Sequence, residues 1–153
     1  MNLYNSFLTK LNKQSAAKLI LGCLIIEITS SFIFSNLFPH GGSNGFKFDS
    51  MLEQIALAVF LAPIAETYFI QYLIITTILK YSKGNTLLAL LISAIVFGLS
   101  HYYSIPYIVK TFFAGLTFGT LFLSQKPNFN KAFIYVLITH ASYNLFAVIM
   151  NNI

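Results

Sequence analysis

Five apolar runs, each near the roughly 20 residues that a helix needs to cross hydrocarbon, take up most of this 153-residue chain. They extend from Leu19 to Phe38, Ile55 to Leu79, Leu87 to Tyr103, Tyr107 to Leu123 and Ala132 to Met150. At 57% hydrophobic and 8% charged residues, the chain holds more apolar side chain than a soluble domain of its size can bury. Lipid offers no partner for a bare backbone amide, so spans of this kind fold as helices. The expected fold is therefore all-α: a polytopic integral membrane bundle of about five transmembrane helices. The third and fourth runs are short and joined by the tight turn Ser104-Ile105-Pro106, which leaves a partly re-entrant hairpin as the alternative there. Ser35-Asn36-Leu37-Phe38 lacks a small-x-small cleavage pattern, so the first run reads as a retained helix and not as a signal sequence. Residues 1–18 carry Leu3, Phe7, Leu8 and Leu11 among Lys10, Lys13 and Lys18, which suits an amphipathic segment on a membrane surface; residues 19–153 read as one transmembrane domain.

Lysine placement sets the expected orientation. Lys10, Lys13 and Lys18 precede the first run, Lys80 and Lys83 follow the second, and Lys126 and Lys131 separate the fourth from the fifth. The remaining connections carry only Lys47, balanced by Asp49, so the amino terminus is expected in the cytoplasm and the carboxyl terminus outside a cell membrane. Lys110, near the outer end of the fourth run, is expected to snorkel to the interface. Gly115 and Gly119 form a GxxxG step, which reads as a helix-packing face. All nine basic residues are Lys and they are scattered, so nucleic acid is not an expected partner, whereas the lipid bilayer is. The single cysteine, Cys23, allows no internal disulfide. His40 reads as a solvated turn residue and Glu53 as a solvated carboxylate at the membrane edge, while Tyr102, Tyr103 and Tyr107 form an aromatic belt in which Tyr102 and Tyr103 are placed to touch a substrate.

Against this background Glu66, His101, His140 and Asn144 stand out as polar groups inside apolar runs, where such residues mark function. At 1.5 Å rise per residue from the inner end of each run, Glu66 lies about 20 Å up, His101 about 21 Å, His140 about 12 Å and Asn144 about 18 Å. Three helices thus bring polar groups to one layer. His140 and Asn144 are i and i+4 on one helix face, as are Phe97 and His101, and as are Thr67 and Gln71 beside Glu66. Pro63 removes a backbone hydrogen bond next to the carboxylate and is expected to kink or loosen that helix. Glu27, in the first run, reads as a structural group that pairs with a hydroxyl or lines the cavity.

These motifs resemble those of the CPBP intramembrane proteases, the group that includes CAAX prenyl endopeptidases and bacterial Abi-type proteins linked to bacteriocin maturation or self-immunity. Phe97-Gly-Leu-Ser-His101 matches the FxxxH helix and His140-Ala-Ser-Tyr-Asn144 the HxxxN helix, over a protease-like core at residues 55–150. The first motif, EExxxR in the family, reads Glu66-Thr67-Tyr-Phe-Ile-Gln71 here, after the familiar lead-in Ala62-Pro63-Ile64. The second Glu and the Arg are both lost, leaving two neutral groups, Thr67 and Gln71, still able to hydrogen-bond to each other as a brace. Loss of both avoids an unpaired charge in the membrane.

The resemblance implies peptide hydrolysis by a glutamate-dependent mechanism with no obligatory metal or other cofactor. Glu66 would act as general base toward a trapped water, with His101 as second anchor and proton shuttle. His140 and the Asn144 amide would donate to the oxyanion, and Thr67, Gln71 and Phe97 would support the site. The implied partner is a peptide or membrane-anchored protein substrate. Two His and one Glu are also a plausible zinc set, although HExxH spacing is absent. A non-catalytic peptide binder or immunity protein using the same pocket, and a small proton-relaying transporter, are the alternatives from other functional classes.

Overall fold

The computed structural model describes residues 3–39, 41 and 48–152; His40 and Lys47 lie outside the described residues. Among the described residues there are six helices and no strand: α1 (Leu3–Asn12), α2 (Ala16–Leu37), α3 (Met51–Tyr81), α4 (Thr86–Ser100), α5 (Ile105–Ser124) and α6 (Phe129–Asn151). Short polar side chains start them. Ser15, Asn85, Ser104 and Asn128 each accept a hydrogen bond from the backbone N–H three residues on, which satisfies one of the donors a helix start leaves open. At the α3–α4 turn the chain reverses through Lys83 (φ 55°) and Gly84 (φ 83°), and the Gly84 N–H donates back to the Leu79 carbonyl.

Helices α2, α3, α5 and α6 are long and apolar enough to cross a membrane. Helix α4 is the difference from the hydropathy reading. It has 15 residues and stops at Ser100 instead of continuing to Tyr103, a rise of only about 22 Å. Its partner α5 returns at once through the Ser104 cap, so the α4–α5 turn holds His101 at the very end of a helix.

The core lies between α4, α5, α6 and the second half of α3, where Ile75, Phe97, Phe118, Phe122 and Val136 are buried. Helix α2 packs more loosely: Leu19 and Glu27 alone are buried, while Leu21, Ile25, Ile26, Phe32 and Ile33 face outward, as lipid-exposed residues do. Helix α1 is pinned across the start of α4 and the end of α5. Tyr4 bonds Thr120 at 3.3 Å, Thr86 donates to Asn5 Oδ1 at 2.6 Å, and Asn12 donates to the Ser124 carbonyl at 2.6 Å. Leu8 is buried beneath it, and Leu3 and Phe7 are exposed.

The GxxxG step does form a close packing face, but its two glycines are not equivalent. A Cβ on Gly115 would stand 2.8 Å from the Ala94 Cα, against backbone, whereas one on Gly119 would meet the flexible Leu90 Cδ1 at 2.7 Å. Gly115→Ala must push α4 and α5 apart and is expected to destabilise by about 1–3 kcal/mol, with Gly119→Ala costing clearly less. Unfolding midpoints of the two variants in detergent check this; equal losses would show that the Ala94 contact does not set the helix separation.

Candidate functional site

Helix α3 departs from regular α geometry where the site lies. It is π-helical over Ile55–Leu61 and again over Thr67–Ile74, with one α-helical stretch, Ala62–Glu66, between. Pro63 sits in that stretch and has no N–H to give, so the helix loosens around it, as the sequence leads one to expect. The Ala62 N–H bonds Leu57, five residues back, instead of Ala58. In that wider register the next donor, which would serve Ala58, belongs to the proline. The Ala58 carbonyl is taken instead by Asn144 of α6, whose Nδ2 donates to it at 2.7 Å.

Glu66 stands between two imidazoles. Its Oε2 is 3.8 Å from His101 Nε2 and 3.6 Å from His140 Nε2. The His101 Nδ1–H donates to the Phe97 carbonyl at 2.7 Å. That carbonyl is open because the His101 backbone N–H turns to Gly98, and the Ser100 hydroxyl donates to it as well. A carbonyl only accepts, so neutral His101 carries its proton on Nδ1 and presents the Nε2 lone pair toward Glu66. His140 is the reverse. Its ring is 4% exposed, stacks on Phe118 at 4.7 Å and meets Phe97 edge-on at 5.8 Å. Its Nδ1 has no partner among the described residues, and a buried lone pair is tolerated better than a buried unpaired N–H, so the proton belongs on Nε2, facing the carboxylate. One imidazole accepts and the other donates. The buried Phe97 ring, 4.8 Å from the His101 ring, wedges the two apart.

A cavity of about 560 Å³ opens beside this group, between the first half of α3, the second half of α6 and the α4–α5 turn. Glu66, His101 and Asn144 line it; His140 stands behind Glu66. Ala58, Ala62 and Ala65 form one smooth wall on α3, and Tyr103 and Tyr107 another edge. Motif spacing alone does not mark these alanines or Tyr107 as site residues. A run of alanines at helical spacing beside Pro63 was the signal for a groove wall. Tyr102 is 80% exposed and does not line the cavity.

Thr67 and Gln71 behave otherwise than the sequence suggests. Both are fully buried, and Thr67 Oγ1 and both Gln71 amide atoms lack hydrogen-bond partners among the described residues, so the two do not bond each other. The π-helical register explains this: residues five apart, not four, now stack along α3. Unpaired buried polar groups destabilise, so Thr67→Val and Gln71→Met are each expected to stabilise the fold, by about 1 kcal/mol or more. A fall in unfolding midpoint for both would show that these side chains are satisfied in the folded protein.

Glu27 and Lys110 make a separate polar cluster on the α2 side. Glu27 is 3% exposed, lies in reach of the Thr117 hydroxyl and does not line the cavity. The Lys110 ammonium is held over the rings of Tyr107 at 5.4 Å and Tyr143 at 5.7 Å, and Tyr143 is itself bonded to Ser31 of α2. Lys110 thus rests on aromatic faces. Glu53 closes a cap, accepting from the Asp49 N–H at 2.7 Å. As for metals, Glu66 with His101 and His140 supplies the donors a zinc ion would use, yet among the described residues no three His, Cys, Asp or Glu side chains are grouped to hold one.

An all-α bundle with several membrane-length helices, bringing a Glu/His/His/Asn group to the edge of a cavity, defines a multi-pass membrane protein with a polar site among its helices. The chain belongs to the family of Rce1-like type II CAAX prenyl endopeptidases, whose family model matches residues 48–146. At the level of the family this is a CAAX-type intramembrane protease, acting on a peptide or protein substrate in the membrane. No curated protein and no solved structure matches the chain.

Proposed function

We propose that this protein is an intramembrane endopeptidase that hydrolyses a peptide bond in a membrane-associated or exported peptide, with Glu66, His101, His140 and Asn144 as its catalytic residues. The observation that carries this reading is the Glu66 carboxylate flanked at the cavity edge by imidazoles of opposite polarity. A water seated against Glu66 and His101 gives one proton to the Glu66 carboxylate while its other O–H hydrogen-bonds to the His101 Nε2 lone pair, and its oxygen attacks the carbonyl carbon of the substrate. The oxyanion takes a bond from the Asn144 N–H not used by Ala58, while the His140 Nε2–H, facing the carboxylate from behind, holds Glu66 in place. Collapse of the tetrahedral intermediate breaks the C–N bond, and the proton held by Glu66 passes to the leaving amine. This mechanism routes no step through a metal.

The membrane face follows from the same frame. Lys10, Lys13, Lys18, Lys80, Lys83, Lys126 and Lys131 all fall at the helix ends opposite the cavity, which is lined by Gln54 near the start of α3 and Asn151 at the end of α6. With the lysines in the cytoplasm, the cavity belongs to the outer half of a cell membrane and suits an exported peptide.

The test compares new peptide termini in membranes from cells carrying wild type or Glu66→Gln at matched protein levels. Termini present only with wild type support proteolysis and reveal the cut sequence. Identical profiles, together with retained peptide affinity, would make the chain a binder.

A further inference from the structure

Asn144 holds two N–H donors on one amide, and the structure commits one of them to a backbone carbonyl that a different residue has set free. The Ala58 carbonyl lies on the cavity wall. Its α-helical donor, the Ala62 N–H, is bonded to Leu57, and its π-helical donor would be the nitrogen of residue 63, a proline. Asn144 Nδ2 occupies this acceptor at 2.7 Å across the α3–α6 interface. Since a carbonyl can only accept, the bond decides which end of the Asn144 amide faces α3, and it keeps the nitrogen, with its second N–H, on the cavity side of α6.

From this we propose that Pro63 is a positioning residue: by stripping the Ala58 carbonyl of a backbone donor, it makes that carbonyl the anchor that orients the Asn144 amide toward substrate. The inference rests on the proteolytic reading for its consequence in turnover, but the anchor itself is a property of the fold. A residue with an N–H at position 63 competes for Ala58, and the amide then turns freely, presenting oxygen as readily as nitrogen. A developing oxyanion is repelled by the former and held by the latter. Pro63 therefore acts on the reaction through Asn144, without touching substrate. The same bond ties α3 to α6 beside the cavity, so its loss also registers in stability.

The experiment is a double-mutant cycle on the full chain in detergent or nanodiscs, with Pro63→Ala, Asn144→Ala and the double variant, and with Pro63→Ser replacing Pro63→Ala should the latter not fold. Two readouts are taken. In unfolding, Asn144→Ala is expected to lower the midpoint by about 3 °C with Pro63 present and by almost nothing once residue 63 has an N–H. In cleavage, Asn144→Ala is expected to lower kcat about 100-fold in the Pro63 protein, and Pro63→Ala to lower kcat about tenfold at unchanged KM, with the two losses less than multiplicative in the double variant. Equal midpoint losses in both backgrounds, or strictly multiplicative kcat losses, overturn the proposal. Should the wild type cleave nothing, proteolysis fails on its own, and the unfolding cycle still decides whether Pro63 and Asn144 are coupled through Ala58.

Discussion

Replacing Glu66 by Gln is expected to lower kcat about 1,000-fold or more while leaving the fold intact. The amide fills the same volume beside Ala62, Ala65 and His101, so the cavity keeps its shape. What changes is the charge and one acceptor: an amide NH2 cannot take a proton from water, and it turns a donor toward His101 Nε2, the atom that also needs to accept. General-base catalysis typically contributes about 100- to 10,000-fold, and 1,000-fold corresponds to about 4 kcal/mol of barrier. Stability is not expected to fall. Among the described residues the partners within ion-pair distance of Glu66 are the two imidazoles, at 3.6 and 3.8 Å, so none of the described lysines is left stranded by the change. The measurement is single-turnover cleavage of the peptide identified from membrane termini, with unfolding midpoints beside it. Retention of more than a tenth of wild-type kcat at normal stability would remove Glu66 from the chemistry.

The parts of the site that were legible in the sequence are those governed by spacing within one helix. Phe97 and His101, and His140 and Asn144, are four apart, and regular α-helix puts each pair on one face. Apolar run length and lysine placement then give approximate depths, and the structure does bring Glu66 to both histidines, although the counted rise puts His140 about 8 Å below it. Where backbone geometry changes, spacing misleads. Thr67 and Gln71 are also four apart, but α3 is π-helical there and the pair does not meet. The end of α4 was hidden because Tyr102 and Tyr103 prolong the hydrophobic signal, while the carbonyl that His101 caps is visible only in three dimensions. Asn144 was recognisable as a donor, but its backbone partner on α3 was not: the clue was Pro63, whose missing N–H takes effect five residues earlier, at Ala58. Lys110 shows the same limit from another side, since no local pattern reveals that Tyr143 of α6 supplies half of its aromatic seat.

The proposed mechanism gives His101 two jobs with two ring nitrogens, and a pair of substitutions is expected to separate them. In His101→Asn the side-chain NH2 takes the place of Nδ1 and still donates to the Phe97 carbonyl, now 2.7 Å from the ring nitrogen, so the end of α4 stays capped. The Nε2 lone pair that faces Glu66 is gone. The expected result is a kcat lower by about 100-fold at a nearly unchanged unfolding midpoint. His101→Phe keeps the ring contacts with Phe97 at 4.8 Å and Tyr107 at 5.9 Å but has neither nitrogen. It is expected to lose kcat to a similar degree and, in addition, to lower stability by about 1 kcal/mol, because one of the two side-chain donors to the Phe97 carbonyl is removed and Ser100 alone remains. If His101→Asn turned over like wild type, the imidazole would be a helix cap and nothing more, and Glu66 would have to activate water unaided. If instead both variants lost the same stability, the Nδ1 bond would not be what ends α4 at Ser100. The two-nitrogen reading requires the losses to divide, with turnover following Nε2 and stability following Nδ1, and that division explains why a histidine serves at a helix end where a Ser or Asn cap would satisfy the backbone alone.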